Sequence, residues 1–255
     1  MKIVTWNVNS IKVRLERVLA FLERESPDAL CLQELKCTDE AFPYAEIEGA
    51  GYHAAVHGQK TYNGVAILAK QPPEDVRTKV DDDPDDAHAR LISAVVDGVR
   101  VFSCYFPNGS EVGSEKWDFK RAWMDRLIVK FDREHTPDEA IALTGDFNVA
   151  PRESDIAKPE KWTGSVLTHA EVRERLAKLE AWGMRDVFTE QHPDGGVHSW
   201  WDYRQLAFPK GNGLRIDLQL MTESVAKRVT GARIDRDERK GKGASDHAPV
   251  IVELG

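Results

Sequence analysis

Apolar runs along this chain repeatedly stop at polar residues. In KIVTWNVNS, Ile3, Val4, Trp6 and Val8 read as a strand with Asn7 and Asn9 at its polar end. Residues 13–24 carry apolar side chains at Val13, Val18, Leu19 and Leu22, which predicts an amphipathic helix closed ahead of Pro27. DALCLQEL is a short buried strand terminating in Gln33 and Glu34, and NGVAILAK (63–70) is a strand entered through Gly64. ARLISAVVDGVRVFSCYF reads as a hairpin turning at Asp97-Gly98. Spacing at Trp117, Ala122, Trp123, Leu127, Ile128 and Phe131 predicts a helix over 116–134. The run from Ile141 to Leu143 predicts a strand that stops at Gly145. A second helix over 170–182 leads into MRDVF, and LRIDLQLM and HAPVIVEL are the last strands. Strands and helices alternate with no linker rich in Pro, Gly or Ser, which predicts one mixed α/β domain over residues 1–255.

The polar groups that end these runs are the candidate chemistry. In IALTGDFNVAP, Asp146 and Asn148 stand two apart, and side chains at i and i+2 of an extended segment face the same way. The alternative is a local turn in which both bond their own backbone. Asn7 could equally form a turn, Glu34 could pair with Lys36, Asp217 could pair with Arg215, and SDH (245–247) could cap a turn. Jointly these local explanations weaken. Asn7, Glu34, Tyr105 to Asn108, Asp146 with Asn148, Asp217, and Asp246 with His247 all fall where an apolar run meets a loop. Packing preference does not gather carboxylates and amides there.

The formal net charge of −8 argues at first sight against a nucleic-acid partner. Much of it sits in DDDPDD (81–86), which has no assigned role, while basic residues cluster in RIDRDERKGKG (233–243). Net charge is therefore weak evidence about any single face. No apolar run approaches the roughly 20 residues of a membrane span, and the first ten residues, with a single Lys, do not read as a signal peptide. Cys31, Cys37 and Cys104 form no CxxC pair and read as reduced cytosolic thiols, not a disulfide frame or a zinc site.

TWNVNSI, LQELK, YNGVAIL, YFPNGS, GDFNVAP, SWWDYR, LRIDLQL and SDHAPV follow one another between Lys2 and Val252. In these motifs and their order the chain resembles the exonuclease III family of the endonuclease/exonuclease/phosphatase superfamily. GDFN or SDH alone marks only the superfamily; YFPNGS with SWWDYR and LRID narrows the resemblance to the DNA-repair branch. The resemblance implies a four-layer α/β sandwich of the DNase I-like kind, with two face-to-face mixed β-sheets flanked by helices and an active site at one end. It implies a metal-dependent phosphodiesterase of double-stranded DNA, acting by water attack in base excision repair. Its expected activities are 3′→5′ exonuclease and cleavage at apurinic/apyrimidinic sites to leave a 3′-OH. The expected setting is a cytoplasmic monomer, nucleoid-associated if bacterial, with no membrane partner.

A phosphodiester is anionic, and a hard cation on oxygen ligands offsets the charge that develops in its cleavage. The resemblance places Mg²⁺, with Mn²⁺ as a substitute, at Glu34 with Asn7 as an oxygen neighbour. Asp146 resembles the family's water-activating aspartate, with Asn148 hydrogen-bonding beside it. His247, adjacent to Asp246, resembles an aspartate-supported histidine that contacts a phosphoryl oxygen. Tyr105 would act at the same phosphate, and Asp217 would orient the tyrosine or its neighbours. Trp200 and Leu214 match positions lining a pocket for a base-free sugar, although a core aromatic is the plain alternative for Trp200. Gly164 lies in a loop where a small residue leaves room for that sugar, and Arg90 and Asn108 are phosphate-contact candidates. One rival keeps the fold but acts on an inositol phosphate, a sphingolipid or RNA, against which YFPNGS and SWWDYR speak. The other is a catalytically dead nucleic-acid-binding module, which fits poorly with a competent residue at every candidate position.

Overall fold

The computed structural model describes residues 1–80 and 88–255, so the acidic run at 81–86 lies outside the described residues. Strand β1 (Lys2–Asn7) leads into helix α1 (Ile11–Glu25), strand β2 (Ala29–Gln33) and the short helix α2 (Tyr44–Gly49). Strands β3 (His53–His57), β4 (Val65–Ala69), β5 (Glu74–Arg77), β6 (Leu91–Val96) and β7 (Val99–Tyr105) precede helix α3 (Glu115–Glu134). Then come β8 (Ile141–Asp146), α4 (Ala170–Trp182), β9 (Met184–Asp186) and α5 (Val187–Gln191). The chain closes with β10 (Asp217–Thr222), α6 (Glu223–Ala226), β11 (Val229–Ile234) and β12 (Val250–Leu254).

Among the described residues the strands make two six-stranded sheets, ordered β11-β12-β1-β2-β4-β3 and β5-β6-β7-β8-β10-β9. Pairs β1–β2 and β7–β8 are parallel and the neighbours of each pair are antiparallel, so both sheets are mixed. Side chains alternate between the two faces of a strand, and that alternation builds the layers. Val4 and Trp6 pack outward on Val18, Phe21 and Leu22 of α1. Ile3, Ala29 and Cys31 face Ile92, Ala94, Val101 and Ala142 of the other sheet. Phe102, Ile141, Leu143, Leu218 and Leu220 turn outward onto Trp123 and Leu127 of α3 and Val172 and Leu176 of α4. Helix, sheet, sheet and helix give the four-layer sandwich expected from the sequence. No helix among the described residues is long and apolar enough to cross a membrane.

The inner layer changes character towards one end. Along the inward-facing positions, Ile3 is followed by Thr5 and Asn7, Cys31 by Gln33, Val101 by Ser103 and Tyr105, and Ala142 by Thr144 and Asp146. The intermediate groups bond across the gap: Gln33 Nε2 donates to Thr5 Oγ1 and to Ser103 Oγ, each at 3.0 Å. Buried polar atoms with such partners cost little, so the core can lead without a break into an ionic rim.

Strands β3, β5, β9 and β11 are absent from the sequence reading, and α1 starts at Ile11 where a helix over 13–24 was expected. Strand β8 does not stop at Gly145 but runs on to Asp146. Gly145 is what permits this. Its φ is +147°, and a Cβ there would lie 1.9 Å from the Cys104 carbonyl oxygen on the neighbouring β7. Gly145→Ala should therefore destabilise the protein by more than about 2 kcal/mol, as steric conflicts in a packed sheet do. A urea midpoint within error of the wild type would mean that β7 and β8 separate freely at this point.

Candidate active site

Strands β1, β2, β7, β8 and β10 bring polar side chains to the same end of the sandwich. In the second sheet Tyr105 pairs with Asp146 across β7–β8, and Asp217 pairs with Asp146 across β8–β10, so the three stand in one cross-strand row. In the first sheet Asn7 pairs with Gln33 at the ends of β1 and β2, and Glu34 follows with φ +53°. His247 lies just ahead of β12. Of these groups Glu34, Tyr105, Asp146 and His247, with Asn148 and Trp200 among others, line a cavity of about 720 Å³.

Asn7 joins the two sheets. Its Nδ2 donates to Glu34 Oε1 and to Asp146 Oδ2, each at 2.9 Å. Its Oδ1, expected as a metal neighbour, accepts the Asn9 N–H at 3.0 Å and keeps a second lone pair. The amide's orientation has a local reason: between two carboxylates the donor end of an amide is favoured over the acceptor end.

Asp146 and Asn148 converge by the second of the two routes open to them from the sequence, the local turn. Strand β8 ends at Asp146, and Asn148 sits at φ +50°, so the pleat does not align them. A turn does: Asp146 Oδ1 accepts the Asn148 N–H at 2.9 Å. The turn also aims both side chains into the cavity. Asn148 Nδ2 lies 3.3 Å from Asp146 Oδ2, and Asn148 Oδ1 accepts from Asn108 Nδ2 at 2.9 Å.

The carboxylate that supports His247 is Asp217, not the adjacent Asp246. His247 Nδ1 lies 2.9 and 3.0 Å from the two Asp217 oxygens, and Nε2 lies 3.7 Å from Asp146 Oδ2. Asp217 is in turn held by Ser199, whose hydroxyl donates to Oδ2 at 2.6 Å. Asp246 points elsewhere, accepting from Asn9 Nδ2 at 2.9 Å and from the Trp200 indole N–H at 3.0 Å. Neighbours in sequence face opposite ways on extended backbone, which is why adjacency misled. Nor does Arg215 pair with Asp217: its buried guanidinium bonds Asp155 and Asp186.

The outer candidates divide. Trp200 is half-buried on the cavity wall, edge-on to Trp162 at 5.8 Å. Leu214 does not line the cavity; it is fully buried towards the helices, and only its backbone pairs with Trp200. Ile216, two residues on and in the same buried cluster, takes that place on the wall. Gly164 borders the cavity, with nothing within 4 Å of where its Cβ would be. Arg90 lies outside it, over the Tyr105 ring at 5.0 Å, in an adjoining hollow shared with Tyr105 and Asn108. Ser199 and Asn9 were missed as site residues. For Asn9 a signal existed, since it repeats the polar strand-end pattern of Asn7; for Ser199 there was none.

The electrostatics are those of a buried, charged site. Burial alone would depress the His247 imidazole, but the charges of Asp217 and Asp146 outweigh it and push its pKa up to about 10. Burial raises the Asp146 carboxyl to about 7, offset in part by the charge of His247 and reinforced by that of Asp217. The Tyr105 phenol is raised well above its ordinary value by burial and by the charges of Glu34 and Asp146, so it stays protonated. Glu34, Asp146 and His247 offer ligand atoms within 4.8 Å of one another among the described residues. Carboxylate oxygens dominate this set, which suits a hard divalent cation. The Lys36 ammonium, 3.0 Å from Glu34 Oε2, shows that the cluster attracts positive charge.

Two facing mixed sheets with a carboxylate–imidazole–amide cluster at their shared end define a DNase I-like hydrolase. The chain belongs to the Endonuclease/Exonuclease/phosphatase family, which matches residues 4–247, and within it to the exonuclease III group. It is 35% identical to the exodeoxyribonuclease III of Haemophilus influenzae over 266 aligned residues, covering 100% of both chains. Among solved structures it is similar to an AP endonuclease from Archaeoglobus fulgidus, at 36% identity and a TM-score of 0.96, covering 100% of this chain and 99% of that one. It is also similar to the 3′ phosphatase NExo from Neisseria bound to a product DNA hairpin, at 39% identity, a TM-score of 0.96 and the same coverage.

Because the folded-state pKa of His247 lies above its ordinary 6.5, the stabilisation from the charged pair is complete below that value and is lost as pH climbs through about 10. Asp217→Asn removes the main partner. The metal-free variant should be less stable than the wild type near neutrality, and the gap should close towards about pH 10. Urea midpoints across that range, with the His247 ring resonances followed by NMR, test this; a gap that does not change with pH would mean that Asp217 acts only by packing.

Proposed function

We propose that this protein is a metal-dependent DNA-repair phosphodiesterase that cuts double-stranded DNA at abasic sites, leaving a 3′-OH, and removes nucleotides from 3′ ends. The observation that carries this reading is the facing pair: a carboxylate poised near neutrality at Asp146 and a charged imidazole at His247, 3.7 Å apart at the cavity wall. Full-length identity to a nuclease, and a Neisseria relative held with product DNA, support DNA as the substrate.

In this mechanism Asp146 takes a proton from the attacking water, and a base that titrates near the working pH suits that task. Asn148, fixed by the Asp146 turn and by Asn108, orients the water or a phosphoryl oxygen. His247, held charged by Asp217, donates to a phosphoryl oxygen as negative charge builds there. The protonated Tyr105 phenol is a second donor to the same phosphate. Glu34 is the main carboxylate anchor for Mg²⁺, with Mn²⁺ as a substitute, and the ion supplies Lewis-acid offset of phosphate charge when bound. Trp200 and the open space at Gly164 leave room for a base-free sugar turned out of the helix, a motion that costs least where a base is already missing. The enzyme works as a monomer in the cytoplasm, with residues 1–255 as one catalytic domain.

The direct test is a duplex with a single abasic site beside an undamaged duplex, each with Mg²⁺ and with EDTA. Cleavage should require the metal. Glu34→Ala should lower turnover on the order of 10²-fold or more, since Lewis-acid help is worth several kcal/mol, with thermal stability little changed. Full activity in EDTA sinks the metal role.

Asp146→Asn keeps the shape and removes the basicity. Turnover should fall ~10²–10⁴-fold while duplex binding, read by a mobility shift, survives. Near-normal turnover in this variant would assign the water to another group.

A further inference from the structure

Helix α3 carries an anomaly on its buried face. Between Trp117 and Trp123, in a stripe completed by Met124 and Leu127, stands Lys120 with none of its surface exposed. Its ammonium donates to the carbonyl oxygens of Asn108 at 3.1 Å, Asn148 at 2.7 Å and Val166 at 2.8 Å. An ammonium has three N–H donors and no acceptor, so these three carbonyls use all of them.

The three carbonyls belong to three separate stretches of chain. Asn108 lies after β7, Asn148 in the turn after β8, and Val166 in the segment 162–168 that also holds Gly164. All three stretches wall the cavity, through Asn108, Asn148, Gly164 and Val166. The fit around the lysine stem is close: a Cβ on Gly109 would lie 3.0 Å from Lys120 Cδ. Burying the amine without a hydrogen-bonded carboxylate is unfavourable, and desolvation lowers its pKa to about 7 against the pull of Asp146. Packing alone gives no reason for such a group where a methionine would fill the space.

We propose that Lys120 is a positioning residue for the reaction: by gathering these three carbonyls it fixes the Asn108–Asn148 amide pair relative to Asp146. The inference rests on the phosphodiesterase reading, because it assigns Lys120 to the working of that same site. It acts through Asn148, whose side-chain oxygen accepts from Asn108 and whose N–H is held by Asp146. Loss of the tripod frees three loops at once, and a shift of about 1 Å in a reacting group can cost ~10²-fold in rate.

The test is a double-mutant cycle on the abasic-site duplex with Mg²⁺, using Lys120→Met, Asn148→Ala and the pair, with folding checked by circular dichroism. Lys120→Met should lower kcat roughly 10- to 100-fold with KM changed by less than about threefold. On the Asn148→Ala background the same substitution should cost less than about threefold, since groups acting as one unit are not additive. A lysine that serves only stability would lower the melting temperature and leave kcat of the folded enzyme unchanged, which overturns the proposal. A full loss repeated on the Asn148→Ala background overturns it as well. Should Lys120→Met fail to fold, Lys120→Gln, which keeps an amide donor, runs the same cycle with the same two overturning results. An inactive wild type would defeat the functional reading and this inference together; an active wild type with unaltered Lys120→Met turnover defeats this inference alone.

Discussion

A single amide, that of Asn7, stands between two carboxylates that belong to different sheets. Glu34 follows β2 in one sheet and Asp146 ends β8 in the other, and Asn7 Nδ2 donates to both at 2.9 Å. Without a donor between them the carboxylates would repel across a region of low effective dielectric. With it, the two sheets are tied at the one place where the cavity needs them close. The bond also sets a demand on the strands. Asn7 must point inward, and in a structure of period two a slip of one residue would turn it to the helix face along with Ile3 and Thr5. The packing of Ile3 against the opposite sheet and of Trp6 against α1 therefore does more than fill space. It fixes the register that presents Asn7.

The graded inner layer follows from the same demand. An ionic cluster placed directly on an apolar core would leave its lower half desolvated and unpartnered, at a cost of several kcal/mol per ion. Here a band of neutral polar groups lies between. Gln33 bonds Thr5 and Ser103, Thr144 Oγ1 donates to the Phe102 carbonyl at 2.8 Å, and Gln219 Nε2 donates to the Val250 carbonyl at 2.8 Å. Thr5, Ser103, Thr144 and Gln219 each have an apolar neighbour two positions away on one side and a site residue two positions away on the other, as in Ala142, Thr144 and Asp146. The catalytic rim is thus an extension of the strand pattern, and the sheets carry the site without a separate supporting element.

That continuity explains what was legible in the sequence. Central strands are buried on both faces and read as apolar runs, so β1, β2, β4, β6, β7, β8, β10 and β12 stand out, together with the polar groups at their ends. The edge strands β5 and β11 give no such signal: every residue of β5 is exposed, and β11 has half-buried and exposed residues but no buried one. The partners inside the site were harder to read than its members. His247 and Asp246 are adjacent in sequence, but the strand geometry gives His247 to Asp217, thirty residues away, and leaves Asp246 to Asn9 and Trp200. Leu214 and Ile216 are both apolar and belong to one buried cluster, and only their depth from the cavity separates them. Lys120 did leave a trace, a cation at the centre of an apolar helical stripe. Charged residues almost never lie there unless something satisfies them.

The charge pattern of the site bears on a puzzle set by composition, a nuclease with a formal net charge of −8. Around the cavity, Glu34, Asp146, Asp217 and Asp246 face His247 and Lys36, so fixed negative charge exceeds positive at the point where a phosphate must enter. In a partly buried site salt screens this poorly. The excess is nevertheless directional. Asp217 spends its charge on His247, and Asp246 spends its hydrogen bonds on Asn9 and Trp200. What remains is the Glu34–Asp146 side, which Asn7 bridges but does not neutralise. A divalent cation there would turn a surface that repels phosphate into one that attracts it. In the proposed reaction the acidic rim and an anionic substrate are then compatible, because the carboxylates would hold the cation while the imidazolium, with the phenol, would meet the phosphate.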